Sequence, residues 1–168
     1  TEVCQYYAFF FNVATPESHP ALWKKLTEEF GPNRDTETTY PHVAIANAFI
    51  GNYLRVDILS RYGLQEQLIS EIEEYFFYMA ERTGTLWENV HSQASCNHGF
   101  ASYIAHVLYR DVLGISNIDY LDNKVTIRFT DLDLDHCSGS IPVGSEVIRL
   151  EWRKAGELKP GDRIILSN

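Results

Sequence analysis

Apolar residues recur at helical spacing through the first 114 residues, and this periodicity is the strongest constraint on how the chain can fold. It predicts five helices, at about residues 2–14, 18–30, 42–62, 64–82 and 98–113. The first, third and fifth segments are apolar almost all round, whereas the second and fourth have one charged face. Such alternation is typical of a double ring of helices, but an irregular five-helix bundle explains the pattern equally well.

The pattern changes after Gly114, where apolar and polar residues alternate between glycines and prolines. We expect about four short strands, near residues 124–129, 132–137, 146–153 and 163–166. A small antiparallel sheet of this size needs a support to pack against, and the helices are the expected support. The sequence therefore predicts a mainly α fold over residues 1–114, followed by a small β domain over residues 115–168.

The chain has 23 acidic against 14 basic residues, a formal net charge of −9. Affinity for nucleic acid comes from Lys and Arg, so a nucleic-acid partner is not expected. No apolar run is long enough for a membrane span, which predicts a soluble chain without a membrane partner.

Three cysteines without paired spacing predict neither zinc nor a disulfide framework and leave the compartment open. The acids at 131–135 lack the Gly and Glu of a calcium loop, so we expect no metal and no cofactor.

The segment GTLWENVHSQASCNHG, residues 84–99, carries more reactive side chains than a plain connection requires. Glu88 follows Trp87 in a loop between an outer and an inner helix. Apolar walls there would shift the pKa of the carboxylate and let the face of a sugar ring stack on them. His98 starts the next helix and would face the same place. Tyr40 and His42 flank a proline before the third helix, where both rings would face a cavity. The alternative interpretation of Trp87 and Glu88 is a surface Glu beside a Trp that only packs. For Tyr40 and His42, the alternative is a helix start whose backbone is fixed by the proline.

Three segments resemble the C-terminal part of bacterial α-L-rhamnosidases, glycoside hydrolase family 78. GTLWE, residues 84–88, is similar to the family's Gly-x-Thr-x-(Ile/Leu)-Trp-Glu signature. NHGFASYIAHVLYRDVLGI, residues 97–115, is similar to its Asn-His helix, and IPVGSEVIRLEW, residues 141–152, to its closing β domain. The three segments follow one another in the order that the family has, between residues 84 and 152.

The resemblance implies late helix pairs of an (α/α)6 barrel, followed by part of a C-terminal antiparallel β-sandwich. It also implies inverting hydrolysis of terminal α-L-rhamnose from glycosides or polysaccharides, without a cofactor. Glu88 is then the general base, Trp87 an apolar wall for the deoxy sugar, and His98 a hydrogen-bond partner of a sugar hydroxyl. Tyr40 and His42 complete the expected substrate-binding set.

The family's general acid lies upstream of the late barrel helices, and no residue of this chain matches it. We therefore expect an incomplete, inactive fragment whose missing partner is the N-terminal part of the barrel, and whose exposed inner helices favour self-association. A barrel acting on another sugar, such as a glucuronoside, stays open, as does a non-catalytic helical sugar-binding or structural module. The resemblance is compatible with a periplasmic or extracellular location, which the sequence alone does not decide.

Overall fold

The computed structural model describes residues 1–48, 50–90 and 95–154. The chain divides into two compact units, Thr1–Leu132 and Asp133–Asn168, each of which is described by itself. Among the described residues, no helix is both long enough and apolar enough to cross a membrane.

Each of the five segments that were predicted to be helical contains a helix, and the fourth helix ends one residue beyond its predicted bound, at Thr83. The first three are α1 at Glu2–Phe10, α2 at Pro20–Glu28 and α3 at Gly51–Arg61. Helix α4 runs through α-helical Gln65–Glu71, π-helical Ile72–Phe77 and α-helical Tyr78–Thr83. Helix α5 begins as a 3₁₀ turn at Gly99–Ser102, continues as α-helix at Tyr103–Val107 and ends as π-helix at Leu108–Leu113. Gly84 and Gly114 end α4 and α5 in the left-handed conformation, with φ of 70° and 99°.

Helix α3 is the central element of the first unit, because it packs against α1, α4 and α5. One side of α3, with Val56 and Leu59, joins α4 and α5 in one apolar cluster. The other side, with Leu54 and Ile58, joins α1 and α2 in a second cluster. Burying one such side chain stabilises the fold by roughly 1.5–3 kcal/mol, so the two clusters fix α3 from both sides.

The predicted (α/α)6-barrel arc with a partial β-sandwich is wrong. The described residues form a five-helix bundle around α3 and two separate two-stranded antiparallel sheets, with neither a barrel nor a sandwich. The expected alternation of buried and exposed helices fails at α1, since Tyr7 is 42% exposed and Phe11, just beyond the helix end, is 64% exposed. Aromatic residues made α1 look enclosed, although only Glu2, Tyr6 and Phe9 of this helix are buried.

The third helix begins nine residues later than expected, at Gly51 rather than at 42. Before it, the Asn47 side-chain oxygen accepts the backbone N–H groups of Ile50 at 3.1 Å and Gly51 at 3.0 Å. A Cβ on Gly51 would lie 2.3 Å from the Cβ of Ala46, so only glycine permits this close approach. Ala46 and Ala48 therefore do not extend α3 but are buried in the two clusters on its two sides.

Strands start directly after the last helix, at Ile115 rather than near residue 124 as expected. Strand β1, Ile115–Asp119, pairs antiparallel with β2, Lys124–Ile127, and the hairpin belongs to the first unit. The β1 strand was not predicted. Buried Asp111 fixes the hairpin to the helices, because it accepts Arg128 at 2.7 Å and Ser60 of α3 at 2.6 Å.

The second unit contains β3, His136–Val143, paired antiparallel with β4, Glu146–Arg153. The strands meet at a two-residue turn in which Gly144 has φ of 61°, the conformation that tight hairpin turns require. Pro142 lies within β3, where a two-stranded sheet leaves an outer edge without pairing demands. The predicted strand at 132–137 is thus replaced by a later one, and the predicted strand at 163–166 lies outside the described residues.

Candidate functional site

Trp87 is anchored on the helical core at the start of the loop that follows α4. Its indole N–H donates to Thr83 Oγ1 at 2.8 Å, and its ring meets Tyr78 edge to face at 6.0 Å. The side chain is half-buried and packs, with Leu86, against the cluster of α3, α4 and α5. The Gly84 turn thus directs the chain back onto the bundle, and the indole fixes it there.

Glu88 is held by its backbone on both sides. Its carbonyl accepts the Ala48 N–H at 2.8 Å, and its N–H donates to the Ser95 carbonyl at 2.9 Å. The residue is half-buried. The turn before α3 therefore sets the position of the backbone that carries this carboxylate.

The structure brings His98 to the same segment. The His98 N–H donates to the Leu86 carbonyl at 2.8 Å, and the imidazole lies 5.6 Å from the Phe100 ring, centroid to centroid. Together with the Glu88–Ser95 bond, this pairs residues 86–88 with residues 95–98. Three of the predicted site residues, Trp87, Glu88 and His98, therefore share one paired stretch of backbone, which we call the Glu88 segment.

Tyr40 and His42 line a different cleft, of about 460 Å³, which we call the Tyr40 cleft. Its walls are Glu29 and the continuous run 38–43, and neither Glu88 nor Trp87 nor His98 is among them. The Tyr40 hydroxyl donates to the Glu29 carboxylate, and Lys25 Nζ lies 5.1 Å from the centre of the Tyr40 ring. The cleft offers a carboxylate, a phenol and an exposed imidazole, a set that can bind a polyhydroxylated ligand.

Arg34 builds the Tyr40 cleft, although the sequence reading gave it no role. Its guanidinium donates to the backbone carbonyls of Thr39, Tyr40 and Val43 and to the Glu2 carboxylate. The Arg34 side chain is 1% exposed and that of Glu2 is fully buried. A loop without regular secondary structure is thereby wound around one buried charge, and Tyr40 is held there with φ of 54°.

A second buried ion pair stands beside the first. Arg55 of α3 binds Glu71 of α4 through two hydrogen bonds of 2.7 Å and also donates to the Leu26 carbonyl. Tyr6 links the two pairs, since its hydroxyl donates to Glu2 at 2.9 Å and accepts from Arg55 at 3.4 Å. The available signal was Arg55 itself, a charge in the middle of an apolar helix, which is rarely buried without a partner.

An aromatic groove of about 560 Å³ opens between α1, α3 and α5. The rings of Tyr7 and Phe11 are nearly parallel, 4° apart with centroids 6.0 Å apart, and Phe100 is 75% exposed. Tyr103 forms the inner wall, where burial and the adjacent Asp57 carboxylate raise the pKa of its hydroxyl. The groove lies on a helical bundle, whereas the sequence led us to expect an exposed apolar surface on the inner helices of a barrel arc.

The described part of the chain contains no group of three or more His, Cys, Asp or Glu residues arranged to hold a metal ion. The Glu88 segment instead carries a carboxylate, an indole and an imidazole on one paired stretch of backbone. No family model, curated protein or solved structure matches the chain.

Proposed function

We propose that the chain carries the general base of an inverting glycoside hydrolase that releases terminal α-L-rhamnose. The observation that carries the proposal is the double clamp on Glu88, between the Ala48 N–H and the Ser95 carbonyl, directly after core-anchored Trp87. A base must hold its position relative to the sugar and the attacking water, because a misplacement of about 1 Å costs roughly 10²-fold in rate. The motif resemblance over residues 84–88 and 97–115 supports the choice of sugar.

In this proposal the Glu88 carboxylate removes a proton from water as the water attacks the anomeric carbon. A separate carboxylic acid protonates the departing glycosidic oxygen on the opposite face of the sugar. In inverting enzymes the two carboxyl groups stand about 6.5–9.5 Å apart, which leaves room for the water. The acid is expected from a polypeptide segment outside these 168 residues.

The other predicted residues act on the sugar rather than on the proton. Trp87 offers the part of its ring that the core leaves uncovered as an apolar wall for the 6-deoxy carbon. His98 donates a hydrogen bond to a sugar hydroxyl from the same paired backbone. Tyr40 and His42, which line their own cleft, bind further parts of a rhamnose-containing glycoside or polysaccharide.

The experiment is turnover of a chromogenic aryl α-L-rhamnoside by the 168-residue chain and by a longer natural chain that contains it. The short chain should be nearly inactive, since loss of one acid–base partner costs about 10²–10⁴-fold. In the longer chain, Glu88→Gln should abolish turnover and leave rhamnose binding intact. Glu81→Gln, which makes the same chemical change at an exposed position on α4, is the matched control. Near-normal turnover by Glu88→Gln removes Glu88 from the role.

A non-catalytic sugar-binding module is the second candidate, and the aromatic groove favours it. Tyr7 and Phe11 have nearly parallel rings and are 42% and 64% exposed, so they offer aromatic surface on which a sugar ring can stack. This candidate predicts saturable binding of a rhamnoside, weakened by Phe11→Ala, with no hydrolysis by any chain. A panel of aryl glycosides in the turnover assay separates rhamnose from a glucuronoside or another sugar.

A further inference from the structure

The turn that precedes α3 is fixed by one side chain, that of Asn47. Its Oδ1 accepts the N–H groups of Ile50 and Gly51, while its backbone carbonyl accepts the Asn52 N–H at 2.9 Å. Free N–H groups at a helix start are commonly satisfied by an Asn, Asp, Ser or Thr side chain. Asn47 therefore caps this helix start, and the N–H groups that its side chain binds lie three and four residues after it.

Ala48, the residue next to this cap, donates its N–H to the Glu88 carbonyl. Ala48 is 1% exposed, so water has little access to compete for this N–H group. The direction of the Ala48 N–H depends on the turn, and the turn depends on the Asn47 oxygen and on the missing side chain of Gly51. A chain of direct contacts thus runs from the Asn47 side chain to the backbone of Glu88.

We propose that Asn47 is a positioning residue that sets the place of the Glu88 carboxylate through the Ala48 N–H. The expected effect on catalysis rests on the proposed function. The claim that Asn47 positions the Glu88 backbone does not depend on any activity. Asn47 itself touches neither sugar nor water in this proposal. Its removal should therefore lower kcat for the rhamnoside and leave KM nearly unchanged, because substrate contacts stay in place.

The first test needs no activity and measures amide hydrogen exchange at Ala48 in the 168-residue chain. In Asn47→Ala we expect exchange at Ala48 to accelerate roughly fivefold, the size of effect that loss of a helix cap produces. Exchange at Leu59, in the middle of α3, should stay within about twofold, which excludes global unfolding as the cause. Asn47→Asp keeps an acceptor oxygen and should return Ala48 to within about twofold of the parent.

The matched control is Asn33→Ala, which removes the same atoms from an exposed asparagine whose side chain binds Glu74. It should leave exchange at Ala48 unchanged. Parent-like exchange at Ala48 in Asn47→Ala would overturn the inference, and so would equal acceleration at Ala48 and Leu59.

The second test uses the longer natural chain and the aryl rhamnoside. We expect Asn47→Ala to lower kcat by about tenfold with little change in KM, and Asn47→Asp to recover most of the loss. If that chain hydrolyses the rhamnoside and Asn47→Ala leaves kcat unchanged, the positioning role is wrong while the proposed function stands. If no chain hydrolyses it, the proposed function fails, and the exchange experiment still decides the structural part.

Discussion

The Tyr40 cleft and the Glu88 segment both lie outside regular secondary structure, yet they are held by opposite means. The run 38–43 is wound around the Arg34 guanidinium, which binds three backbone carbonyls and one buried carboxylate. Within the Glu88 segment, backbone hydrogen bonds join Glu88 to Ser95 and His98 to Leu86. The Ala48 N–H and the indole of Trp87 fix the segment to the rest of the fold. One charge carries the first arrangement, whereas several neutral contacts share the second. The first should therefore fail at a single substitution and the second should weaken in steps.

Replacing Arg34 with Met removes the buried guanidinium that binds the backbone carbonyls of the run 38–43. The Glu2 carboxylate would stay buried with only the Tyr6 hydroxyl as donor, and breaking a buried ion pair in this way costs about 3–5 kcal/mol. The free energy of unfolding from denaturant titration measures the loss. Lys24→Met, which breaks an exposed pair with Glu28, is the control and should cost less than about 1 kcal/mol. Equal losses in the two variants would contradict the proposed role of Arg34.

Adding one carbon at Gly51 tests the turn behind the Glu88 segment. The new Cβ would lie 2.3 Å from the Ala46 Cβ and 2.9 Å from its Cα, so Gly51→Ala should destabilise by about 1–3 kcal/mol through overpacking. Gly99→Ala is the control, because nothing lies within 4 Å of its Cβ position. It should change the free energy of unfolding by less than about 1 kcal/mol. A tolerated Gly51→Ala would show that the turn yields, and with it the support of Glu88.

Alkaline unfolding examines the cluster beneath the Glu88 segment. Burial raises the pKa of Tyr75 from 10.0 to about 12. Between these values the unfolded chain loses the phenol proton while the folded chain keeps it. The contribution of the protonated Tyr75 phenol to the free energy of unfolding is complete below pH 10. It declines by about 1.4 kcal/mol per pH unit as the pH rises towards 12. In Tyr75→Phe the fall in unfolding free energy between pH 10 and 12 should be shallower by that slope, and an unchanged slope would refute the assignment.

The smallest effect is expected where the Glu88 segment has a replaceable contact. Thr83→Val removes the acceptor of the Trp87 indole N–H, a bond worth about 0.5–1.5 kcal/mol. The loss should fall at the lower end, because the bond lies near the surface and other contacts remain. Thr126→Val, an exposed position in β2, serves as the control in the same denaturant titration. A loss as large as that of Arg34→Met would remove the contrast between the two segments.

The helices could be predicted from sequence because burial of an apolar face is repeated every three to four residues along them. Helix α4 shows this plainly, since buried Leu68, Ile72, Phe76 and Met79 lie opposite its Glu-rich face. Their arrangement could not be predicted in the same way. Tyr7 and Phe11 contribute to the same apolar pattern whether or not a neighbouring helix covers them. Here they line an open groove.

The candidate site was partly predictable for a related reason. Trp87, Glu88 and His98 lie close in sequence, and short backbone pairing brings them together. Arg34 and Asn47 were missed, because each acts through backbone groups whose positions depend on the folded turn. Glu2 and Arg55, to which the sequence analysis gave no role, form ion pairs with Arg34 and Glu71, which lie 32 and 16 residues away in the chain. Periodicity carries no information about such pairs.

The central claim, that Glu88 is the base of an inverting hydrolysis, is tested most directly by chemical rescue of Glu88→Ala in a longer natural chain that hydrolyses α-L-rhamnosides. Azide is a nucleophile that needs no deprotonation, so it replaces water where the base is missing. We predict that the variant is inactive in water, and that azide restores turnover and yields β-L-rhamnosyl azide, the inverted product. Full activity of Glu88→Ala without azide, or a rescued product of α configuration, would contradict the account.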